Sequence, residues 1–90
     1  MSKDVIIVFP SGRELKIGTG AKNWGDACIF LYDYAQQEYK AVFKNQWNNF
    51  GQLRQMCFDR MLTELGHDPR SWKLSDNNTT EDARGFVIQL

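Results

Sequence analysis

The 90-residue sequence has no excess of charge of either sign. It contains 11 Lys or Arg and 11 Asp or Glu, so its formal net charge is zero, and no run of basic residues occurs. Non-specific binding to nucleic acid depends on clustered Lys and Arg side chains that neutralise phosphates. We therefore expect no tight binding to generic nucleic acid.

Long apolar runs are also missing. No segment approaches the roughly 18 consecutive apolar residues that a membrane span requires, and no apolar segment of the secretory type follows Met1–Asp4. These observations predict a protein that does not contact membranes. We expect it in the cytoplasm, or in the host cytoplasm if the chain is viral.

Residues that could perform chemistry are few. Cys28 and Cys57 lie in apolar stretches without CxxC spacing, which is typical of reduced core thiols. The single histidine, His67, follows a predicted helix, where a cation complements the carbonyl end. No spacing suits a metal site or a Cys–His nucleophile pair, and Gly18-Thr19-Gly20 is too short for a phosphate loop. The sequence predicts no metal, no cofactor and no enzymatic activity.

A short pattern does occur twice: Asn23-Trp24-Gly25-Asp26 and Asn49-Phe50-Gly51-Gln52. Asn is a favoured N-cap because its side chain accepts a hydrogen bond from a first-turn amide. An acidic or amide side chain three residues later can reach back to the N–H of the cap residue. Both tetrapeptides are therefore predicted to begin helices.

The second helix is predicted over residues 50–65. Its apolar side chains, from Phe50 to Leu65, fall within half of the helix circumference. Gly66 is expected to cap the C-terminus, and Pro69 prevents continuation. The first segment, residues 27–44, has two interpretations: a β-hairpin, or one helix whose polar side chains share an arc of about 100°. We favour the helix because Gln36-Gln37 is a poor hairpin turn.

The remaining apolar runs predict strands. Val5–Phe9 and residues 14–17 form an N-terminal hairpin around Pro10-Ser11-Gly12, which Gly18-Thr19-Gly20 ends. Residues 75–84 are expected to be a polar loop, with a helical turn starting at Thr79 or Thr80, and residues 85–90 a closing strand. The predicted fold is α+β with element order ββααβ: a small antiparallel sheet with a two-helix pair on one face, forming a single domain over residues 1–90.

Two features are left over once the core is filled. Val5, Ile7 and Phe9 can face the helices, which directs Ile6 and Val8 to the other face of the sheet beside Val87. We call these three residues the apolar strip. Such a strip, rimmed by polar groups, is typical of a docking surface, unless Trp72 or the loop at 75–84 covers it. Trp47, in a polar linker, is either an interface residue or a lid over the helical pair.

These observations favour a non-catalytic protein-binding module that occupies a surface of a larger protein. The partner-binding candidates are Ile6, Val8, Val87 and Trp47, and the partner is another protein or a second copy of the chain. Small size and missing chemistry would suit an inhibitor or adaptor such as viruses and mobile elements encode. The alternative is a nucleic-acid-binding regulator that uses the helical pair, with Arg54, Arg60, Arg70 and Lys73 on one side.

Overall fold

A computed structural model describes residues 3–90, apart from the side chain of Asp76. These residues form four strands, two α-helices and one 3₁₀ turn, which confirms the predicted α+β class and adds one strand. In chain order the elements are β1 (Lys3–Val8), β2 (Glu14–Ala21), α1 (Trp24–Phe43), α2 (Phe50–Glu64), the 3₁₀ turn (Asp76–Asn78), β3 (Thr79–Asp82) and β4 (Gly85–Gln89).

The sheet is mixed, with strand order β2-β1-β4-β3. β1 pairs antiparallel with β2, and β3 pairs antiparallel with β4, whereas β1 and β4 run parallel. The expected sheet was antiparallel throughout. The difference follows from the connection, because both helices lie between β2 and β4, and a long crossover of this kind can return the chain alongside β1 in the same direction.

β3 lies in the segment that was expected to be a loop. Thr79 pairs with Ile88 and Asp82 pairs with Gly85, which leaves a two-residue hairpin connection. The helical turn precedes this strand instead of starting at Thr79 or Thr80. The polar sequence concealed the strand, yet short, charged strands are common at the edges of sheets. Its backbone satisfies the N–H and C=O groups of β4 that β1 does not bind.

β2 extends four residues beyond its predicted end. Its pairing with β1 shifts register on either side of Val5, so the strand continues through Gly18 to Ala21. A Cβ atom at Gly18 would lie 2.6 Å from Cδ1 of Phe30, so the glycine lets the aromatic ring of α1 approach the strand backbone. Gly18, the first of the residues that seemed to end the strand, instead allows this close approach.

The two repeated tetrapeptides begin the two helices as predicted. Asn23 Oδ1 accepts a hydrogen bond from the Asp26 amide at 3.0 Å, and Asn49 Oδ1 accepts one from the Gln52 amide at 2.8 Å. The return bond was expected to reach the cap residue, but it reaches the residue before it. These return bonds join the Lys22 amide to Asp26 Oδ2 at 2.9 Å and the Asn48 amide to Gln52 Oε1 at 2.6 Å.

α1 is one continuous helix, and α2 has a hydrogen-bonded C-terminal cap. Residues 27–44 do not form the alternative hairpin, since α1 is continuous from Trp24 to Phe43. α2 ends at Glu64, and Gly66, which was predicted to cap the C-terminus, follows shortly after with a φ of +90°. The His67 amide donates to the Leu62 carbonyl at 2.9 Å, so the last turn is closed by hydrogen bonds from beyond the helix.

The described chain divides into two compact units, and α1 contributes to both. One unit comprises the residues up to Leu31 together with Lys73–Leu90; the other comprises Tyr32–Trp72. The prediction of one domain over residues 1–90 stays a prediction. Buried apolar residues of the first unit are Val5, Ile6, Ile7, Phe9, Ala21, Ala27, Leu31, Phe86, Val87, Ile88 and Leu90; those of the second are Ala35, Leu53, Cys57, Phe58, Met61 and Leu62.

Candidate docking surface

The apolar strip lies within the sheet and has little exposed surface. Ile6 and Val87 are register partners in the parallel pair, so they share one face of the sheet. Each retains only 8% of its accessible surface, and Val8 is half-buried. A partner could therefore contact little of this strip without rearrangement of the chain around it.

An arginine from the β3–β4 hairpin crosses the same face. The Arg84 guanidinium donates to Asp82 Oδ2 from Nη2 at 3.0 Å and to Glu14 Oε1 from Nη1. Asp82 belongs to β3 and Glu14 to β2, which are the two edge strands of the sheet. Because the guanidinium binds both edges, it must cross the two central strands that carry Ile6 and Val87. We call this arrangement the Arg84 bridge.

The Arg84 bridge gives a physical reason for the low exposure of the strip. Long basic side chains cover apolar surface with their hydrocarbon stems while the charged group stays in water. Glu14 and Arg84 are 70 residues apart, so no local pattern in the sequence indicates their contact. The bridge also lowers the pKa of Asp82, chiefly through its hydrogen bonds from Arg84. A docking role for Ile6, Val8 and Val87 stays a prediction.

Trp47 is held in a defined position within the Tyr32–Trp72 unit. Its indole Nε1 donates to the Lys44 carbonyl at 2.6 Å, and its ring lies 5.2 Å from the ring of Phe50, at 36°. The side chain is half-buried. One polar and one aromatic contact thus fix the ring, while part of it remains accessible.

The backbone that receives this hydrogen bond has an unusual conformation. Lys44, directly after α1, has a φ of +49°, and it is the non-glycine residue with positive φ in the described part of the chain. An L-residue in this left-handed region costs roughly 1–2 kcal/mol. Such conformations occur at functional sites more often than elsewhere. Here the conformation presents the Lys44 carbonyl to the indole of Trp47.

Phe50 is the most exposed large apolar residue described, with 70% of its surface accessible. The helical pattern assigned it to the apolar face of α2, so sequence analysis missed it as a surface residue. Its position explains the exposure, because it is the first residue of the helix and no preceding turn covers it. The sequence did contain a signal for this exposure, because Phe50 directly follows Asn49, the predicted N-cap.

A depression of about 310 Å³ adjoins this aromatic pair. Leu53 is buried and forms part of its floor, whereas the other lining residues lie around the end of α1. We use the name Trp47 surface for this depression together with Phe50. The lining residues are Lys40, Ala41, Lys44, Asn45, Trp47 and Leu53. A second depression of about 250 Å³ on α1 is lined by Asp33, Gln36, Gln37 and Lys40, all polar.

The residues proposed for nucleic acid do not form one free basic face. Three of the four candidates are arginines that each bind a carboxylate of the same unit, which reduces their attraction for phosphate. Lys73 is exposed and belongs to the other unit. The pairs are Arg54–Asp33 at 3.0 Å, Arg60–Glu64 at 3.1 Å and Arg70–Asp68 at 3.3 Å.

The thiols and the histidine are placed in packed surroundings. Burial raises the pKa of Cys57 and of the half-buried Cys28, which keeps both as thiols and not as reactive thiolates. The His67 ring lies 5.3 Å from the ring of Trp72. Over residues 3–90, no cluster of three or more His, Cys, Asp or Glu side chains is arranged to hold a metal ion.

Neither helix in the described chain is long and apolar enough to cross a bilayer. Comparison with protein-family models, with curated proteins and with solved structures finds no match for this chain.

Proposed function

We propose that this chain is a non-catalytic protein-binding module that docks on its partner through the Trp47 surface. Its size, its balanced charge and its few chemically reactive side chains suit a small inhibitor or adaptor of the type that viruses and mobile elements encode. Such a protein acts in the cytoplasm by occupying a surface of a larger protein. The apolar strip contributes less, since it is largely covered within its own chain.

The observation that carries this proposal is the Trp47–Phe50 pair. An aromatic ring with 70% of its surface in water contributes little to folding, yet it lies against a second aromatic ring that a hydrogen bond holds in place. Tryptophan and other large aromatic residues supply much of the binding energy at protein interfaces. Because Trp47 is already positioned, less conformational freedom is lost on binding.

A nucleic-acid partner has less support. The zero net charge and the ion pairs of Arg54, Arg60 and Arg70 leave few unpaired cations in the Tyr32–Trp72 unit for phosphate contacts. We expect a Kd weaker than about 10⁻⁵ M for generic duplex DNA at physiological salt. Sub-micromolar binding in a fluorescence anisotropy titration would favour the nucleic-acid function instead.

Selection of displayed random dodecapeptides on the immobilised native chain tests the docking function. We expect a convergent set of peptides whose binding is lost in Phe50→Ser. Phe50 is exposed, so this substitution should leave the fold intact. Val42→Ser is the matched control, because Val42 is also an exposed apolar residue near the end of α1 but does not line the depression.

Two results would contradict the proposal. One is a failure to select any convergent peptide on the folded chain. The other is a set of peptides whose binding is the same for wild type and Phe50→Ser. Circular dichroism of both variants separates a lost surface from a lost fold.

A further inference from the structure

We propose that the segment docked on the Trp47 surface is acidic, with an apolar side chain that enters the depression and carboxylates beside it. This inference rests on the proposed docking function and names the chemical class of the partner segment. It follows from the two lysines that line the depression and from the apolar residues between them.

Lys40, in the last turn of α1, and Lys44, directly after that helix, are both exposed and both line the depression. Neither lysine forms an ion pair with any residue from 3 to 90. By contrast, Arg54 and Arg60 in the same unit each bind a carboxylate of the chain. The Trp47 surface therefore carries two positive charges that form no ion pair within residues 3–90.

The space between these charges is apolar. Apart from Asn45, the other lining residues are the buried Leu53, the exposed Ala41 and the half-buried Trp47. A volume of about 310 Å³ holds one large apolar side chain. An occupant with a Leu, Phe or Met side chain next to Asp or Glu would match both the shape and the charge of this surface.

Single-stranded nucleic acid also combines negative charge with rings that stack on aromatic residues. Such sites pair stacking platforms with a basic groove that follows the backbone over several nucleotides. Here two lysines line a single depression, and the buried residue in its lining, Leu53, is aliphatic. The ring of Phe50 already packs against Trp47, which leaves less of it free for stacking on a base. These features favour a peptide segment as the occupant.

Three dodecapeptide libraries with the same apolar positions test this inference. Their remaining positions carry Asp and Glu in the first library, Asn and Gln in the second, and Lys and Arg in the third. We expect the tightest peptides from the acidic library, with Kd values that increase several-fold between 0.05 and 0.5 M salt because exposed charges are screened. A dodecamer of deoxythymidylate is measured in parallel by fluorescence anisotropy.

Charge variants then locate the interaction. Lys40→Gln and Lys44→Gln should each weaken the best acidic peptide about 2- to 5-fold, the usual effect of an exposed ion pair. The double variant Lys40→Glu, Lys44→Glu should weaken it more and should bind peptides of the basic library better than wild type does. Lys22→Glu combined with Lys73→Glu is the control, because both lysines are exposed and belong to the other unit.

The outcomes separate this inference from the docking function. Peptides that bind equally from all three libraries, lose binding in Phe50→Ser and ignore the Lys40 and Lys44 variants would overturn the acidic partner and keep the docking surface. Failure of every library would overturn both. Tighter binding of the deoxythymidylate dodecamer than of any acidic peptide would replace the peptide with a nucleic-acid strand.

Discussion

Gly20 and Gly85 have positive φ angles in very different surroundings. The space where a Cβ would stand is open at Gly20, with a φ of +93°. At Gly85, with a φ of +133°, a Cβ would lie 2.3 Å from the carbonyl oxygen of Asp4, on the neighbouring parallel strand. Gly85 thus permits the close approach of β1 and β4, which form the parallel pair of the sheet.

This difference predicts unequal effects of the same substitution. Gly20→Ala should lower the free energy of unfolding by roughly 1–2 kcal/mol, the cost of an L-residue at positive φ. Gly85→Ala should lower it by about 3 kcal/mol or more, because backbone atoms must also separate. Urea unfolding of both variants measures the two values. Equal losses of unfolding free energy in the two variants would mean that the backbone of Asp4 does not restrict the residue type at position 85.

At the scale of elements, both helix starts use the same pair of hydrogen bonds. Asn23→Ala and Asn49→Ala should each lower the free energy of unfolding by about 1 kcal/mol, since each leaves a first-turn amide without its partner. Asn48→Ala is the control, because only the backbone of Asn48 takes part in the cap. Chemical denaturation of the three variants makes the comparison, and an effect of Asn48→Ala as large as the others would contradict it.

The central strands give a second prediction at this scale. The double substitution Ile6→Thr, Val8→Thr keeps β-branched side chains but places a hydroxyl at the buried position of Ile6. We expect the free energy of unfolding to fall by about 2 kcal/mol or more. A melting temperature near that of wild type, combined with lost self-association or partner capture, would instead restore the strip as a docking surface.

A hydrogen bond between the two helices makes stability depend on pH. Tyr39 donates to Glu64 Oε2 at 2.9 Å, and burial together with this bond raises the pKa of Tyr39 to about 12. An unfolded tyrosine has a pKa of about 10. The folded state therefore favours the protonated phenol, and the resulting stabilisation is complete below pH 10 and disappears as the pH rises through 12.

Tyr39→Phe should remove this pH dependence. Between pH 9.5 and 11.5 the free energy of unfolding of wild type should fall more steeply than that of the variant, as measured by urea denaturation at each pH. Parallel curves for wild type and Tyr39→Phe would show that the Tyr39–Glu64 bond does not control alkaline stability.

For the whole molecule, features that depend on residues close in sequence were predicted better than features that depend on contacts between distant residues. The caps at Asn23 and Asn49 and the end at Gly66 were predictable because their hydrogen bonds join residues that are close in sequence. β3 was missed because its pairing with β4, and not its polar composition, stabilises it. The contact of Arg84 with Glu14 was not predictable, because the two residues are 70 positions apart in the sequence.

The same difference between local and distant determinants applies to the Trp47 surface. Trp47 was identified from its polar surroundings, which are a local property of the sequence. Its hydrogen bond to Lys44 and the high exposure of Phe50 depend on how α1 ends and α2 begins, and helical periodicity does not describe either. The depression beside Trp47 also requires Leu53 of α2, so it exists only in the folded unit.

The measurement that tests the docking account most directly is a ¹H–¹⁵N NMR titration of the chain with its tightest selected peptide. The chain contains three tryptophans, Trp24, Trp47 and Trp72, whose indole N–H signals report on three separate positions. We predict a large, saturable shift of the Trp47 signal, since its ring borders the depression and its N–H is bonded to Lys44. The Trp24 and Trp72 signals should change little. A saturable shift of either of those signals with an unchanged Trp47 signal would contradict the account.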